Sequence, residues 1–504
     1  MQRRTVLRRS GASLFALPAL GSRSIDAASG TAASSGSLET ADSGYEPLGQ
    51  VAIEGAAEAV VGDDGEIVYL ATTTGFAIVD VSDPGDPELL FQEDSIAVDG
   101  DPLLEVLDVK VDGDRLVVPG PANRTSASGR LFHGFCCYDV SEPAEPALVG
   151  QPYETGFHIH NCYLDGETLY VVANDPAENP LVVYDVGAEI EEIGRWSLLE
   201  REPDWGDVYW LARYLHDVYV HDDIAYLAHW NAGTYLLDVA DPSEPEYLSH
   251  VAETSLEEQL AVDDGSETQQ GLPGNDHYSA VDETGDLLAV GREAWATGGD
   301  EPDGPGGIDL YDVSEPEAPV ERGSIAAPEA VDESYGAGLW TTAHNFELRD
   351  GRLYASWYRG GVSIHDVTDP DEPEAVASWR DPHEAGFWTA RVAEPGETFV
   401  ASSTPAIPNS PTEGALYTFP IEAGEQVDPP SLTDPDAFDL EPERRTEDDE
   451  DAGEETAQSE PTAETSQEDD ETEDDDSRLG FTAGAVGVAS GAVALEVLRR
   501  RNRQ

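Results

Sequence analysis

The stretch Gly75-Phe-Ala-Ile-Val-Asp80-Val-Ser-Asp-Pro84 decides the fold, because close copies of it recur along the chain. Four further copies keep the glycine, the position of the aspartate and the proline, and they cover residues 134–143, 233–242, 307–316 and 361–370. In all five copies a second proline follows three residues after the first and leads into another short apolar run. A degraded copy without the proline covers residues 181–186. Self-similarity of this kind predicts a repeat architecture.

Each repeat predicts four short β-strands. Two apolar stretches, such as residues 160–164 and 169–172, precede each copy, while the copy itself and the run after it supply the third and fourth strands. Gly, Asp and Pro separate these stretches, as they do at turns between strands. The aspartates that end the third strands lie 46 to 74 residues apart, which is the length of a propeller blade with its loops. Each repeat therefore predicts one blade.

The two ends of the repeat region predict a closed ring. A seventh unit at residues 388–392, 399–402 and 415–420 has only three strands. At the other end, residues 47–50 resemble a fourth strand and have no blade of their own. Pairing between the two completes the last blade and removes its open edge. The fold class predicted for residues 45–420 is an all-β, seven-bladed β-propeller that an N-terminal strand closes.

The repeat motif resembles that of the LVIVD-repeat family, whose members are expected to be β-propellers in exported bacterial and archaeal proteins. The resemblance covers residues 46–420, and five units keep both proline positions. It implies a fold and supplies almost no biochemistry. The function has to be argued from the residues that the fold brings together.

The charge balance excludes one class of function. The 504 residues carry 104 Asp and Glu against 26 Lys and Arg, which gives a net charge of −78. Nucleic acid repels such a chain, so nucleic-acid binding is excluded as a main activity. Concentrated salt screens the self-repulsion of an acidic protein, and we therefore expect a halophilic source.

Both ends of the chain predict membrane targeting. Residues 1–30 begin with Arg3-Arg4-Thr5-Val6-Leu7-Arg8 and resemble a twin-arginine signal peptide. Residues 421–478 predict an acidic disordered linker or stalk, residues 480–498 a transmembrane helix and residues 499–504 a basic cytoplasmic tail. This order resembles the sorting tails of haloarchaeal surface proteins. We expect an exported protein that its C-terminal helix anchors to the outer face of the cytoplasmic membrane, at the cell surface.

Four consecutive blades place a histidine at the mouth of the central channel. Counting back from each second strand gives the residues that open the inner strands: Ala59, Leu107, His160, His216, His277, His344 and Ala390. Neutral imidazole is a good ligand for copper or zinc, and His158 lies on the same side of its strand as His160. A transition-metal site is one interpretation. The others are hydrogen bonds that lock neighbouring blades, and an acid/base or ligand-binding role.

The loops between second and third strands are expected on the same face as these histidines. They carry His229, Trp230, Arg292, Glu293, Trp357 and Arg359, and His383 lies in a long connection on that face. Aromatic and arginine side chains on a rigid scaffold suit a protein or saccharide ligand. The alternative interpretation is that these side chains pack onto the disc.

Three functions fit the sequence. The first is a cell-surface, membrane-tethered binding module that uses its histidine-bearing face. The second is a metal-dependent, copper-like oxidoreductase, since propellers of the methanethiol oxidase type carry a similar histidine cluster. The third is a structural protein of the envelope. A phosphate-binding loop, a Cys-x-x-Cys pair and a nucleophile elbow are all missing from the sequence, so it assigns no catalytic residue and no definite cofactor beyond a possible copper or zinc ion.

Overall fold

The computed structural model describes residues 44–438 except residues 124–129, 176, 263–269, 300–301, 337 and 408–409. Seven sheets account for most of its regular structure, and each of them contains four antiparallel strands. The first strands of successive sheets contact one another in chain order, and the first strand of the last sheet contacts that of the first. This cyclic contact closes a ring of blades around a central channel. The predicted all-β, seven-bladed propeller is therefore confirmed.

The first four blades follow one another along the chain, and their strands are given from the channel outwards. Blade 1 has Ala59–Val61, Ile67–Ala71, Phe76–Asp80 and Glu88–Glu93, and blade 2 has Lys110–Asp112, Arg115–Gly120, Gly134–Asp139 and Ala147–Glu154. Blade 3 has His158–Asp165, Thr168–Asn174, Leu181–Asp185 and Glu191–Trp196, and blade 4 has Asp217–His221, Ile224–His229, Gly233–Asp238 and Glu246–Val251.

The remaining three blades complete the ring. Blade 5 has Asp276–Val281, Leu287–Arg292, Ile308–Asp312 and Val320–Ile325, and blade 6 has Phe346–Arg349, Arg352–Ser356, Val362–Asp366 and Glu374–Trp379. Blade 7 has Phe387–Glu394, Thr398–Ser403, Ala415–Pro420 and, as its outer strand, Gly49–Ala52. That outer strand pairs with Ala415–Pro420, with Gly49 opposite Thr418, so the predicted closure by the N-terminal segment is also confirmed.

The aspartate of the repeat ends the third strand of its blade by a local hydrogen bond. The Asp80 carboxylate accepts a hydrogen bond from the backbone N–H of Ser82 at 2.9 Å, and Asp312 accepts one from Ser314 at 3.1 Å. This turn chemistry needs only neighbouring residues, which is why the motif survives in every full copy. The apolar residues before it are buried on both faces of the sheet between neighbouring blades, as in Phe76–Asp80.

The connections carry the few other elements. The helices are the α-helices Leu198–Arg201 and Leu256–Leu260 and the 3₁₀ turns Pro203–Asp207, Trp210–Arg213 and Pro435–Ala437. A short hairpin joins Ala97–Val98 to Asp101–Pro102. Within the described ranges, the protein has no helix that is long and apolar enough to cross a membrane.

The first part of the predicted linker belongs to the propeller. Gly424–Glu425 adds a parallel fifth strand to blade 6, beside Glu374–Trp379. Further along, Leu432 and Phe438 are buried together with Leu339. The prediction of a disordered linker from residue 421 is therefore wrong for residues 421–438, because an open sheet edge of blade 6 and an apolar patch on the connection between blades 5 and 6 bind this segment. The signal peptide, the rest of the linker, the transmembrane helix and the basic tail lie outside the described residues and stay predictions.

Candidate functional site

The four histidines that were expected at the channel mouth lie side by side in the structure. The ring centroids of His160 and His216 are 4.1 Å apart, those of His216 and His277 are 3.8 Å apart, and those of His277 and His344 are 4.6 Å apart. All four side chains are buried. Consecutive blades therefore build an arc of imidazoles around one side of the channel.

Irregular backbone at the start of the inner strands places these rings at the mouth. His160 lies in a register shift between Ile159 and Cys162, and His277 lies in a second shift between Asp276 and Tyr278. His216 directly precedes the inner strand of its blade, and His344 lies shortly before that of blade 6. A bulge re-aims a side chain that regular alternation would turn into the blade. Each histidine can thus point into the channel without disturbing the strand behind it.

The arc borders a small cavity with a mainly aromatic wall. Its volume is about 40 Å³, and it is lined by the four histidines, Glu293, Gln270, Leu211, Ala406 and the aromatic side chains of Trp230, Trp295, Tyr335, Trp340, Tyr358 and Trp388. Glu293 supplies the only carboxylate of this wall among the described residues. A space of this size holds a few water-sized groups.

Three side chains in the wall form a set with metal-binding geometry. One ligand atom each from His277, Glu293 and His344 lies within 4.8 Å of the others. Nε2 of His277 is 3.3 Å from Oε2 of Glu293, while the Tyr358 hydroxyl donates a hydrogen bond to Oε1 of the same carboxylate. Burial raises the pKa of Glu293 to about 7, and the bond from Tyr358 opposes that rise. The phenol also fixes the carboxylate's orientation toward the histidines.

Burial keeps the imidazoles neutral, and a hydrogen bond orients the ring of His344. Nδ1 of His344 donates to the carbonyl of Trp388, so its Nε2 is left as the acceptor atom. Burial lowers the pKa of His160 to about 4 and that of His344 to about 3, and it lowers the pKa of His216 and His277 well below the usual range. At neutral pH all four rings are therefore in the uncharged form that binds metals.

Several ring nitrogens have no hydrogen-bond partner within the described part of the chain. They are Nδ1 of His160, His216 and His277, and all three atoms are fully buried. A buried polar atom without a partner costs free energy, and proteins retain such atoms mainly at functional sites. The arrangement is the one expected where a bound ligand completes the site.

Of the seven residues predicted for the ligand-binding face, two contribute to the cavity wall. They are Trp230 and Glu293. His229 is buried in blade 4, where Nδ1 bonds the Arg213 carbonyl at 3.0 Å. Arg292 is buried in ion pairs with Glu253 and Asp309, each at 2.7 Å. The side chains of His229 and Arg292 are packed within the blades. This follows because successive side chains of a strand point to opposite faces.

The other predicted residues of that face, and His158, also lie elsewhere. The indole of Trp357 donates to Ser363 at 2.7 Å inside blade 6. Arg359 donates to the Pro382 carbonyl at 2.7 Å, and the ring of His383 stacks on Phe438 with 5.1 Å between centroids. The ring of His158 meets that of His133 edge-on at 4.8 Å. These four side chains lie outside the cavity wall, and a role for them in ligand binding stays a prediction.

Sequence analysis missed several aromatic residues of the wall, above all Trp388 and Tyr358. Trp388 occupies the register shift between Phe387 and Thr389 in blade 7, so it takes the position that was assigned to Ala390. Its ring lies 4.3 Å from that of His344. Trp230 and Tyr358 have positive φ angles of 37° and 47° and bridge to the inner strand of the next blade. The tryptophan that begins the predicted inner strand 388–392 was the available signal.

The fold and this mouth define a class: a seven-bladed propeller with a histidine-lined axial cavity. Within that class, residues 63–94 and 212–252 match the family model of the LVIVD repeat. Comparison with curated proteins gives no match.

Two solved structures are similar in fold. The β-propeller domain of Cps50 (Swd1) from Myceliophteria thermophila is 10% identical over 75% of this chain and 99% of that chain, with a TM-score of 0.48. Hsv2 from Kluyvelomyces marxianus is 9% identical over 70% of this chain and 90% of that chain, with a TM-score of 0.42.

Proposed function

We propose that the protein binds a transition-metal ion at the channel mouth, with His277, His344 and Glu293 as ligands. The observation that carries this proposal is the convergence of these three ligand atoms within 4.8 Å, next to two further buried imidazoles. Two histidines and a carboxylate leave coordination positions open for water or a small molecule. The hydrogen bond from Tyr358 to Glu293 is the kind of outer contact that orients a ligand.

The donor set suits copper or zinc in an N/O environment. The cysteines Cys136, Cys137 and Cys162 are buried outside the cavity wall. Burial also raises the pKa of Cys136 to about 12 and that of Cys137 to about 11, so these thiols are protonated at neutral pH. Imidazole and carboxylate bind Zn²⁺ or Cu²⁺ without help from sulfur.

A repeat-built propeller fits an interaction module, and we place the proposed protein or saccharide partner on the outer surface of the histidine-bearing face. The 40 Å³ cavity is too small for a sugar ring or a protein side chain with its backbone. The ion would then either stabilise the mouth under that surface or react with a small molecule.

A metal-dependent oxidoreductase is the second candidate, and the cavity wall favours it. Six aromatic side chains exclude bulk water from the ion's open positions, and the wall leaves room only for a substrate of a few heavy atoms. A bound ion would supply Lewis-acid or redox chemistry there. The chain's own contribution is to exclude water and to hold the Tyr358–Glu293 pair beside the reacting atoms.

Metal analysis of the full-length protein tests the site. The protein is purified in molar NaCl, incubated with Zn²⁺ or Cu²⁺, freed of excess metal and measured by mass spectrometry. We expect about one tightly bound ion per chain in the parent protein. We expect almost none in the double variant His277→Ala/His344→Ala. In Glu293→Gln the affinity should fall at least tenfold, since even outer contacts of ligands change it by about 10–100-fold.

His229→Ala is the matched control, because His229 is equally buried and lies outside the cavity wall. It should keep the ion even if it lowers stability. Loss of the ion from the control and the double variant alike, or no bound ion in the parent protein, would refute the metal site. Turnover of small substrates by the loaded protein, absent in Glu293→Gln, would then distinguish the enzyme from the binding module.

We also propose that the protein is exported and tethered to the cell surface, on the sequence of its two ends. Replacing Arg3 and Arg4 with lysine should retain the protein in the cytoplasm. Removing residues 480–504 should release the exported protein into the medium. Fractionation of cells with each variant tests both statements, and a protein that stays membrane-bound without residues 480–504 would contradict the anchor.

A further inference from the structure

A second, smaller cavity lies deeper in the channel, on the other side of the histidine arc. Its volume is about 10 Å³, the space of one water molecule. Besides the four histidines, Leu107 and Trp388, it is lined by oxygen-bearing side chains from five blades: Glu58, Asp108, Asn161, Asp217 and Asn345. All five are buried. The cavity is thus a ring of oxygen atoms around a single small space.

The charges of this ring do not balance. Glu58 pairs with Arg391 at 2.7 Å, and Asp108 pairs with Lys110, which is the only lysine of the chain. Asp217 is 3% exposed, and no cation of the described residues forms an ion pair with it. Three carboxyl groups therefore face two cations. Burial raises the pKa of Asp217 well above its usual range, so this group is ionised at neutral pH only with a further cation beside it. An unpaired buried charge is expensive unless a counter-charge or a proton neutralises it.

Two oxygen atoms of the ring also lack hydrogen-bond partners within the described residues, namely Oδ1 of Asp217 and Oδ1 of Asn345. Both side chains line the same cavity. The amide of Asn345 is fixed because its Nδ2 donates to Glu58 at 2.6 Å, so its oxygen cannot be exchanged for the donor group. Two acceptor atoms without partners thus belong to side chains that line a space of the right size for one small ion.

We propose that a single Na⁺-sized monovalent cation occupies this cavity, with Oδ1 of Asp217 and Oδ1 of Asn345 among its ligands. A hard cation prefers carboxylate and amide oxygens, the cavity admits one such ion, and one positive charge is what the ring lacks. The cation site uses other ligand atoms than the proposed transition-metal site, although the same four histidines border both cavities.

Thermal unfolding of the full-length protein in different salts tests the cation. Melting temperatures are compared in NaCl and in choline chloride at equal molar concentration, because choline is too large for the cavity. The parent protein should melt roughly 2–4 °C higher in NaCl, beyond the general difference between the two salts. In Asp217→Asn, which keeps the shape and removes the charge, that extra difference should vanish.

Asp312→Asn is the control, since Asp312 lies in an exposed turn outside the channel. The variant loses a turn hydrogen bond and an ion pair with Arg322, so only its difference between NaCl and choline chloride is compared. If Asp217→Asn does not fold, a series of LiCl, NaCl, KCl and CsCl on the parent protein still tests the site, and the melting temperature should be highest with NaCl. Equal salt effects in the parent and Asp217→Asn, or a monotonic trend along the series, would overturn the proposal and leave a water or a proton at Asp217.

Discussion

The buried imidazole of His229 should contribute to a loss of stability in mild acid. The substitution His229→Gln should remove the part of that loss that His229 causes. His229 lies in blade 4 between Trp196 and Tyr235, and its Nδ1 bonds the Arg213 carbonyl. Burial lowers its pKa from the ordinary value of 6.5 to about 4. Glutamine is neutral at every pH of interest, and its amide can also donate to that carbonyl.

The size of the effect follows from the two pKa values. Below pH 6.5 the unfolded chain binds a proton at His229, whereas the folded protein does not bind it until about pH 4. The unfolded state therefore gains stability as the pH falls through this window, and the free energy of unfolding decreases. At pH 5 the contribution amounts to about 2 kcal/mol, and above pH 7 it is close to zero.

Denaturant unfolding in molar NaCl at pH 7.5 and pH 5 measures the effect. The other histidines are present in both proteins, so the difference between parent and variant isolates His229. At pH 7.5 the variant should be less stable by about 1–2 kcal/mol through lost packing. At pH 5 it should equal or exceed the parent in stability. A difference between the two proteins that stays the same at both pH values would refute the assignment of a buried, neutral His229.

Two further substitutions and one deletion test the placement of residues outside the mouth. Arg292→Met should lower the free energy of unfolding by about 3 kcal/mol in denaturant titrations, because it leaves the buried carboxylates around it unpaired, but metal content should not change. Deleting residues 44–52 should lower the melting temperature and cause self-association in light scattering, since it exposes the edge of blade 7. Phe438→Ala should cost about 2 kcal/mol through lost stacking on His383, and an unchanged stability would show that residues 421–438 do not pack on the propeller.

The number of blades and their closure could be predicted because the signals are local. A turn such as Asp80-Val-Ser-Asp-Pro84 fixes its own geometry through hydrogen bonds between near neighbours, so each copy identifies one blade whatever surrounds it. The segment 421–438 carries no such signal. It is acidic in sequence, and its contacts with blade 6 and with the connection before that blade give it a defined place.

The site was predicted in part, and alternation along the strands explains the rest. At three strand ends two aromatic or charged residues are neighbours in the sequence: His229 and Trp230, Arg292 and Glu293, and Trp357 and Tyr358. In each pair only the second residue lines the cavity. Neighbouring residues at a strand end point in opposite directions, and which of them faces the channel depends on where the strand pairing stops. Register shifts such as that at Trp388 depend on contacts between blades, which a single sequence does not reveal.

The distribution of charge connects the surface of the protein with its axis. Acidic side chains on the surface repel one another, but salt in the solvent screens them, so they need no partners within the chain. The same screening does not reach a carboxylate in the channel, where Glu58 and Asp108 require Arg391 and Lys110 beside them. Asp217 has no such partner among the residues that the structure describes. A cation from the solvent would therefore do at Asp217 what an arginine does at Glu58, and the stability of the channel would depend on which ion the solvent supplies.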